Sequence, residues 1–147
     1  MMKLLPIICL NMSDLEKIDS FIKEHHVMGL ATSNGDELSV CTLFYAFSLN
    51  KLSFIVASSD DTTHIKHIKQ NSKIAGNIVL ETKIIGKIQG LQFRGEFLEL
   101  EDSKLKNLYF KEFPPAIVMK PKLWQIKVDY FKLTDNRLGF GKKIVWE

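Results

Sequence analysis

The sequence predicts a mainly β (α+β) domain: a six-stranded antiparallel β-barrel with peripheral helices. Three observations carry this. Short apolar segments recur in period-two alternation between turn signals. Helical spacing is confined to three brief stretches. The chain is 147 residues long and 46% hydrophobic, which suits one core. Residues 1–11 read as an N-terminal extension and 12–147 as the barrel domain, with Met12 a candidate start beside Met1.

Ser13-Asp14-Leu15-Glu16 is a capping box, and Leu15, Ile18, Phe21 and Ile22 then follow at helical spacing to about His25. The period changes at Val27, and Val27–Thr32 reads as a strand. Asn34-Gly35 predicts a hairpin turn in which both central positions tolerate positive φ. Leu38–Ser48 returns as the second strand, and Leu52–Ala57 is the third. Ser58–Asn71 is polar and then helical, with Ile65 and Ile68 facing inward. Lys73–Leu80 is the fourth strand. Ile84–Leu100 contains one long bent strand, in which Leu91, Phe93, Gly95 and Phe97 alternate with Gln92, Arg94 and Glu96. Asp102-Ser103 starts a helix that Pro114-Pro115 ends. Leu123–Leu133 is the next strand, with a phase change between Val128 and Phe131. After a turn at Thr134–Asn136, Leu138–Trp146 closes the chain.

Composition excludes several classes. Charge content of 25% and ten Phe argue against disorder, and no apolar run reaches the ~18–20 residues of a membrane span. No membrane partner is therefore expected. Cys9 and Cys41 make no disulfide framework and suit a reducing cytoplasm. The net charge of +3 is uneven: residues 103–147 hold ten cationic and four acidic side chains. Such a tail suits a phosphate, a nucleic acid or an acidic membrane surface, and the simpler reading is a solvated lysine face. Signatures of common hydrolases, Gly-x-Ser-x-Gly and His-Glu-x-x-His, are missing.

Chemistry concentrates in Ser58-Ser59-Asp60-Asp61-Thr62-Thr63-His64-Ile65-Lys66-His67, where a strand ends and a helix begins. Hydroxyls, an imidazole and a lysine at a helix N-terminus suit a phosphate, provided Asp60 and Asp61 point outward; the alternative is an ordinary N-cap. His64 and His67 stand three apart, too few ligands to predict a metal. Gln89, Gln92 and Arg94 form a polar set on one strand. Gly139-Phe140-Gly141-Lys142-Lys143 pairs close backbone approach with two cations but lacks a nucleotide fingerprint.

Phe54-Ile55-Val56-Ala57-Ser58, Thr62-Thr63-His64 and Ile74-Ala75-Gly76 resemble the third strand, phosphate turn and fourth strand of pyridoxamine 5'-phosphate oxidase-like split barrels, which bind FMN. The stretch Gln89–Glu96 and the ending Phe131–Lys143, with its Leu-Gly-Phe-Gly-Lys-Lys string, are similar to the YhbP-like (UPF0306) branch. The resemblance covers residues 12–147. It implies a split β-barrel, a homodimer and an FMN-dependent oxidoreductase of a small molecule, with flavin at the subunit interface. By position it implies that Ser58, Thr62, Thr63 and His64 hold the FMN phosphate, with Lys66 nearby. Thr42, Leu43 and Phe44 would border the isoalloxazine, Gln92 and Arg94 would approach its polar edge or the phosphate from the same or the second subunit, and Gly139, Phe140, Gly141 and Lys142 would close the pocket. Many relatives carry a basic residue where this chain has His64. The context that recognises pyridoxal phosphate is missing around Arg137, so vitamin B6 oxidation is not carried over.

Two other readings are distinguishable. A haem-binding barrel would draw an axial ligand from His25, His26, His64 or His67. A barrel binding single-stranded nucleic acid would stack bases on Tyr109, Trp124 or Tyr130.

Overall fold

A computed structural model describes residues 13–147. The N-terminal extension, Met12 and Cys9 lie outside the described residues. The elements are α1 (Asp14–Glu24), β1 (Val27–Ser33), β2 (Leu38–Phe44), β3 (Ala46–Ser48), β4 (Ser53–Ala57), α2 (Thr63–Gln70), β5 (Lys73–Val79), β6 (Gln89–Glu99), α3 (Ser103–Glu112), β7 (Leu123–Asp135) and β8 (Lys143–Trp146). All pairings are antiparallel, in the order β2-β1-β5-β6-β7-β4-β3, with β8 added to β7. Eight strands replace the expected six for two reasons. The segment Leu38–Ser48 breaks at Tyr45, and only the last residues of the closing segment pair as β8.

The break at Tyr45 closes the barrel. β2 and β3 stand at opposite ends of the sheet order yet are consecutive in the chain, so the sheet must curl until its edges meet. Tyr45 fixes the corner: its backbone N–H donates to the His26 carbonyl at 3.1 Å and its hydroxyl to the Ile22 carbonyl at 2.5 Å. Beyond this corner β2 and β4 approach without pairing, which leaves an open seam.

Period-two alternation supplies the interior. Met28, Leu30, Ile78, Leu91, Phe93, Phe97 and Phe131 face inward and are buried, while their neighbours face out. Phe54 lies at the centre, with ring centroids of Tyr45, Phe47 and Phe93 at 5.2, 4.8 and 4.7 Å. Ile18, Phe21 and Ile22 of α1 and Ile65 and Ile68 of α2 join the same core. Each such side chain contributes roughly 1.5–3 kcal/mol by leaving water. A smaller core joins α3, through Leu105 and Tyr109, to Ala46, Ile55 and Leu123.

The local signals in the sequence find their physical causes here. Ser13 caps α1 by accepting from the Glu16 N–H at 3.1 Å, and Asp102 caps α3 by accepting from Lys104 at 2.8 Å. The phase change in β7 is a bulge: Arg94 pairs with Tyr130 and Gly95 with Val128, so Asp129 has no opposite number. The Asn34-Gly35 turn differs from expectation. Residues 34–37 form the loop, only Gly35 has positive φ (104°), and the Asn34 side chain accepts from Asp36 and Glu37 N–H. No helix among the described residues is long and apolar enough to cross a membrane.

Candidate functional site

The polar segment after β4 folds into a compact cradle. Thr62 caps α2, its hydroxyl accepting from the Ile65 N–H at 3.4 Å and donating to the Ser59 carbonyl at 2.8 Å. His64 Nε2 then lies against the Ser58 hydroxyl and 3.4 Å from Thr62 Oγ1. Ser58 is fixed from behind, since its carbonyl accepts from Trp124 Nε1 at 2.9 Å. The first-turn amides of Thr63 and His64 lie ahead of the helix's own hydrogen-bond ladder. Thr63 and Lys66 are exposed beside them. Burial lowers the proton affinity of His64, and the nearby His67 lowers it further.

Asp60 is engaged away from the cradle hydroxyls by two lysines. Asp60 pairs with Lys122 at 3.1 Å and with Lys69 at 3.4 Å, and hydrogen bonds from these lysines, Lys122 first, hold its carboxyl below the usual range. Asp61 is exposed. His67 points elsewhere too. Its Nδ1 meets Thr32 Oγ1 at 3.0 Å and its Nε2 lies 4.0 Å from Glu37, so it ties α2 to the β1–β2 hairpin. The two imidazoles have separate partners, and no group of His, Cys, Asp or Glu that could hold a metal occurs among the described residues.

The remaining sequence-predicted residues form three further groups. Thr42, Leu43 and Phe44 lie on β2, whose far edge borders the seam; Thr42 and Phe44 face outward, with Phe44 ringed to Phe113 at 5.5 Å. Burial raises the proton affinity of half-buried Cys41 on the same strand.

Gln92 and Arg94 stand on the outer sheet face three strands from β2, about 14 Å at the usual strand spacing. Register explains their surroundings. One cross-strand row runs Thr42, Gly29, Asn77, Gln92, Lys132; the next runs Val40, Ala31, Ala75, Arg94, Tyr130. The small residues at the centre of both rows open a groove of about 320 Å³. The Arg94 guanidinium lies 4.0 Å from the Tyr130 ring centroid on one side of it.

Gly139–Lys142 occupies the β7–β8 turn, at the opposite end of the barrel from the cradle. The eleven residues of β6 separate the two ends by about 33 Å. Gln89 leaves the Gln92–Arg94 set, because its side chain is buried and accepts from Arg137 at 2.9 Å.

Of the histidines proposed for haem, His64 and His67 are buried and engaged. His25 lies against Phe21 at 4.5 Å, and His26 is exposed 3.8 Å from Glu112. Tyr109 and Trp124 are core residues and cannot stack bases. Sequence reasoning missed the Thr32–His67–Glu37 link and the stacking of Arg94 on Tyr130, because both depend on which strands and helices become neighbours.

The curled antiparallel sheet with its open seam and end helices is a split barrel of the pyridoxamine 5'-phosphate oxidase-like kind. The same fold occurs in a haem-binding protein from Mycobacterium smegmatis (TM-score 0.76, 14% identity, 92% of this chain and 58% of that one). It occurs also in a FAD-binding protein from Mesorhizobium loti (0.68, 15%, 92% and 96%) and a Listeria innocua protein assigned to the pyridoxamine 5'-phosphate oxidases (0.68, 13%, 82% and 98%). No family model matches the chain. Its sequence relatives are specific, however. It is 36% identical over 138 residues to the UPF0306 protein of Cronobacter sakazakii (92% of this chain, 96% of that one). It is 34% identical over 139 residues to the UPF0306 protein YhbP of Escherichia coli (92% and 99%). The chain belongs to the UPF0306 (YhbP) family.

Proposed function

We propose that this protein binds FMN in the seam between β2 and β4, at the interface of a homodimer, and acts as an oxidoreductase on a small molecule. The observation that carries the reading is the disposition of the cradle: Ser58, Thr62 and His64 converge at the start of α2 while Asp60 is held outward by Lys122 and Lys69. With the Thr62 hydroxyl proton donated to the Ser59 carbonyl, the donors left for a phosphate monoester are the Ser58–His64 pair and the first-turn amides of Thr63 and His64. Bound FMN would supply the electron-transfer chemistry. Ser58, Thr62, Thr63 and His64 would hold its phosphate with Lys66 beside them, and Thr42, Leu43 and Phe44 would border its ring. Flavin- and haem-binding proteins of the same fold support a bound cofactor.

Gln92 and Arg94 lie too far across the sheet to reach the seam of their own chain, so in this reading they reach the flavin of a second copy. The Gly139–Lys142 turn lies at the far end of its own barrel from the cradle and would not close the pocket of its own chain.

The test is an absorption spectrum of the purified protein, with mass determination of what boiling releases. Flavin bands and the mass of FMN are expected. A colourless protein that fails to take up added FMN overturns the reading, and a Soret band with haemin replaces it with haem binding.

A further inference from the structure

We propose that the end of the barrel opposite the cradle docks onto anionic lipid surfaces, through an apolar tip backed by lysines. Two loops build the tip. Leu80 N–H donates to the Gln89 carbonyl at 3.0 Å at the base of the β5–β6 loop, and Asp135 N–H donates to Lys142 at 3.0 Å at the base of the β7–β8 loop. Asn136 clasps the two together. Its backbone N–H donates to the Ile88 carbonyl at 3.1 Å and its side-chain amide to the Ile85 carbonyl at 2.9 Å, while its Oδ1 accepts from the Gly141 N–H at 3.0 Å. Arg137 anchors the second loop from below by bonding Asp135 and Gln89. The tip is therefore pre-formed.

What this scaffold presents is apolar. Ile84, Ile85, Ile88, Leu138 and Phe140 are all exposed, Ile85 at 71% and Phe140 at 86%. Connecting loops are ordinarily polar, and a cluster of large exposed apolar side chains marks an interaction surface. Phe140 is held at the apex by glycines on both sides, Gly139 at φ 137° and Gly141 at φ 73°, conformations that other residues rarely adopt.

Charge selects the occupant. Lys83, Lys87, Lys142 and Lys143 are exposed, and none forms an ion pair among the described residues. Residues 80–88 and 135–143 together hold five cations and two carboxylates, one of which, Asp135, is buried against Arg137. Lys142 and Lys143 stand behind the Phe140 apex, at the base of their loop. A bilayer presents its chemistry in the matching order, with hydrocarbon below a layer of phosphates. The sequence expectation of no membrane partner rested on the lack of a span, and a peripheral contact of this kind needs none.

The test is co-sedimentation of the full chain with phosphatidylcholine vesicles with and without about a third phosphatidylglycerol. Partitioning onto the anionic vesicles alone, weakened by high salt, is expected. Joint Lys142→Ala and Lys143→Ala substitution should lower it roughly 25-fold, and Phe140→Ser about tenfold or more. Phe140→Trp should show a blue-shifted emission on binding, a readout independent of those variants' stability. Equal binding to neutral vesicles, or none to either, overturns the proposal. So does a Phe140→Ser protein that loses its oligomeric state in light scattering, because the tip would then be covered by a second copy.

Discussion

Gly95→Ala tests the central β6–β7 ladder at the point where it is most tightly specified. Gly95 faces the bulge at Asp129, and a methyl group there would lie 2.2 Å from the Lys127 carbonyl oxygen and 3.1 Å from Val128 Cα. Both are backbone atoms of a paired strand, so neither can turn aside as a side chain would. Overpacking of cores costs about 1–3 kcal/mol, and the rigid obstacle places this substitution at the upper end, about 3 kcal/mol. Gly90, on the same strand, has nothing within 4 Å of its added methyl and no positive φ. Gly90→Ala should therefore gain roughly 0.4–1 kcal/mol through the unfolded chain's lost freedom. For a chain of this length 1 kcal/mol moves the midpoint by about 2–4 °C, so Gly95→Ala should melt ~6–12 °C below the parent and Gly90→Ala slightly above it. Circular dichroism melts with urea titrations measure both. A Gly95→Ala protein within about 0.5 kcal/mol of the parent would refute the assigned register.

Acid should destabilise the fold through its histidines. Burial lowers the proton affinities of His25 and His64. As pH falls through the ordinary value near 6.5, the unfolded chain takes up protons that the folded one refuses, and stability declines by at most about 1.4 kcal/mol per pH unit for each group. His64→Gln should flatten that slope in urea titrations between neutral and mildly acid pH, and a fold that gains stability on acidification would contradict it. Tyr45→Phe removes the bond that fixes the barrel corner and should cost about 1 kcal/mol, read from the urea midpoint; no change would mean the corner is held by packing alone. Arg94→Ala should weaken FMN retention in equilibrium dialysis, and unchanged affinity would remove Arg94 from the flavin site.

Local signals proved the most legible. Ser13 and Asp102 announce their helices because a cap needs only the next three residues. The interrupted alternation between Val128 and Phe131 announces the bulge, since an extra residue must shift every later side chain to the other face. The break at Tyr45 was not legible: Phe44-Tyr45-Ala46 reads as continuous apolar strand, and its corner bonds come from His26 and Ile22 on another element. The outward turn of Asp60 was equally hidden, because Lys122 lies 62 residues away in sequence. Only sheet register brings Gly29, Ala31 and Ala75 into one groove beside Arg94.

The proposed cofactor and the proposed second subunit answer a single structural problem, which is β2. Edge strands are ordinarily blunted by charge, by proline or by a covering element. β2 reads Leu-Ser-Val-Cys-Thr-Leu-Phe and contains neither a charged residue nor proline. One edge pairs with β1, and the other faces the seam. Its outward side chains include Leu38 at 86% and Val40 at 76% exposure. A flat flavin lying along the seam would shield the edge but leave these outward side chains in water. A second copy would cover the outward face while its own Gln92 and Arg94 supplied the polar groups that three intervening strand spacings keep from this seam. Each covering leaves what the other supplies, so the two halves of the proposed function stand together on the geometry of this strand.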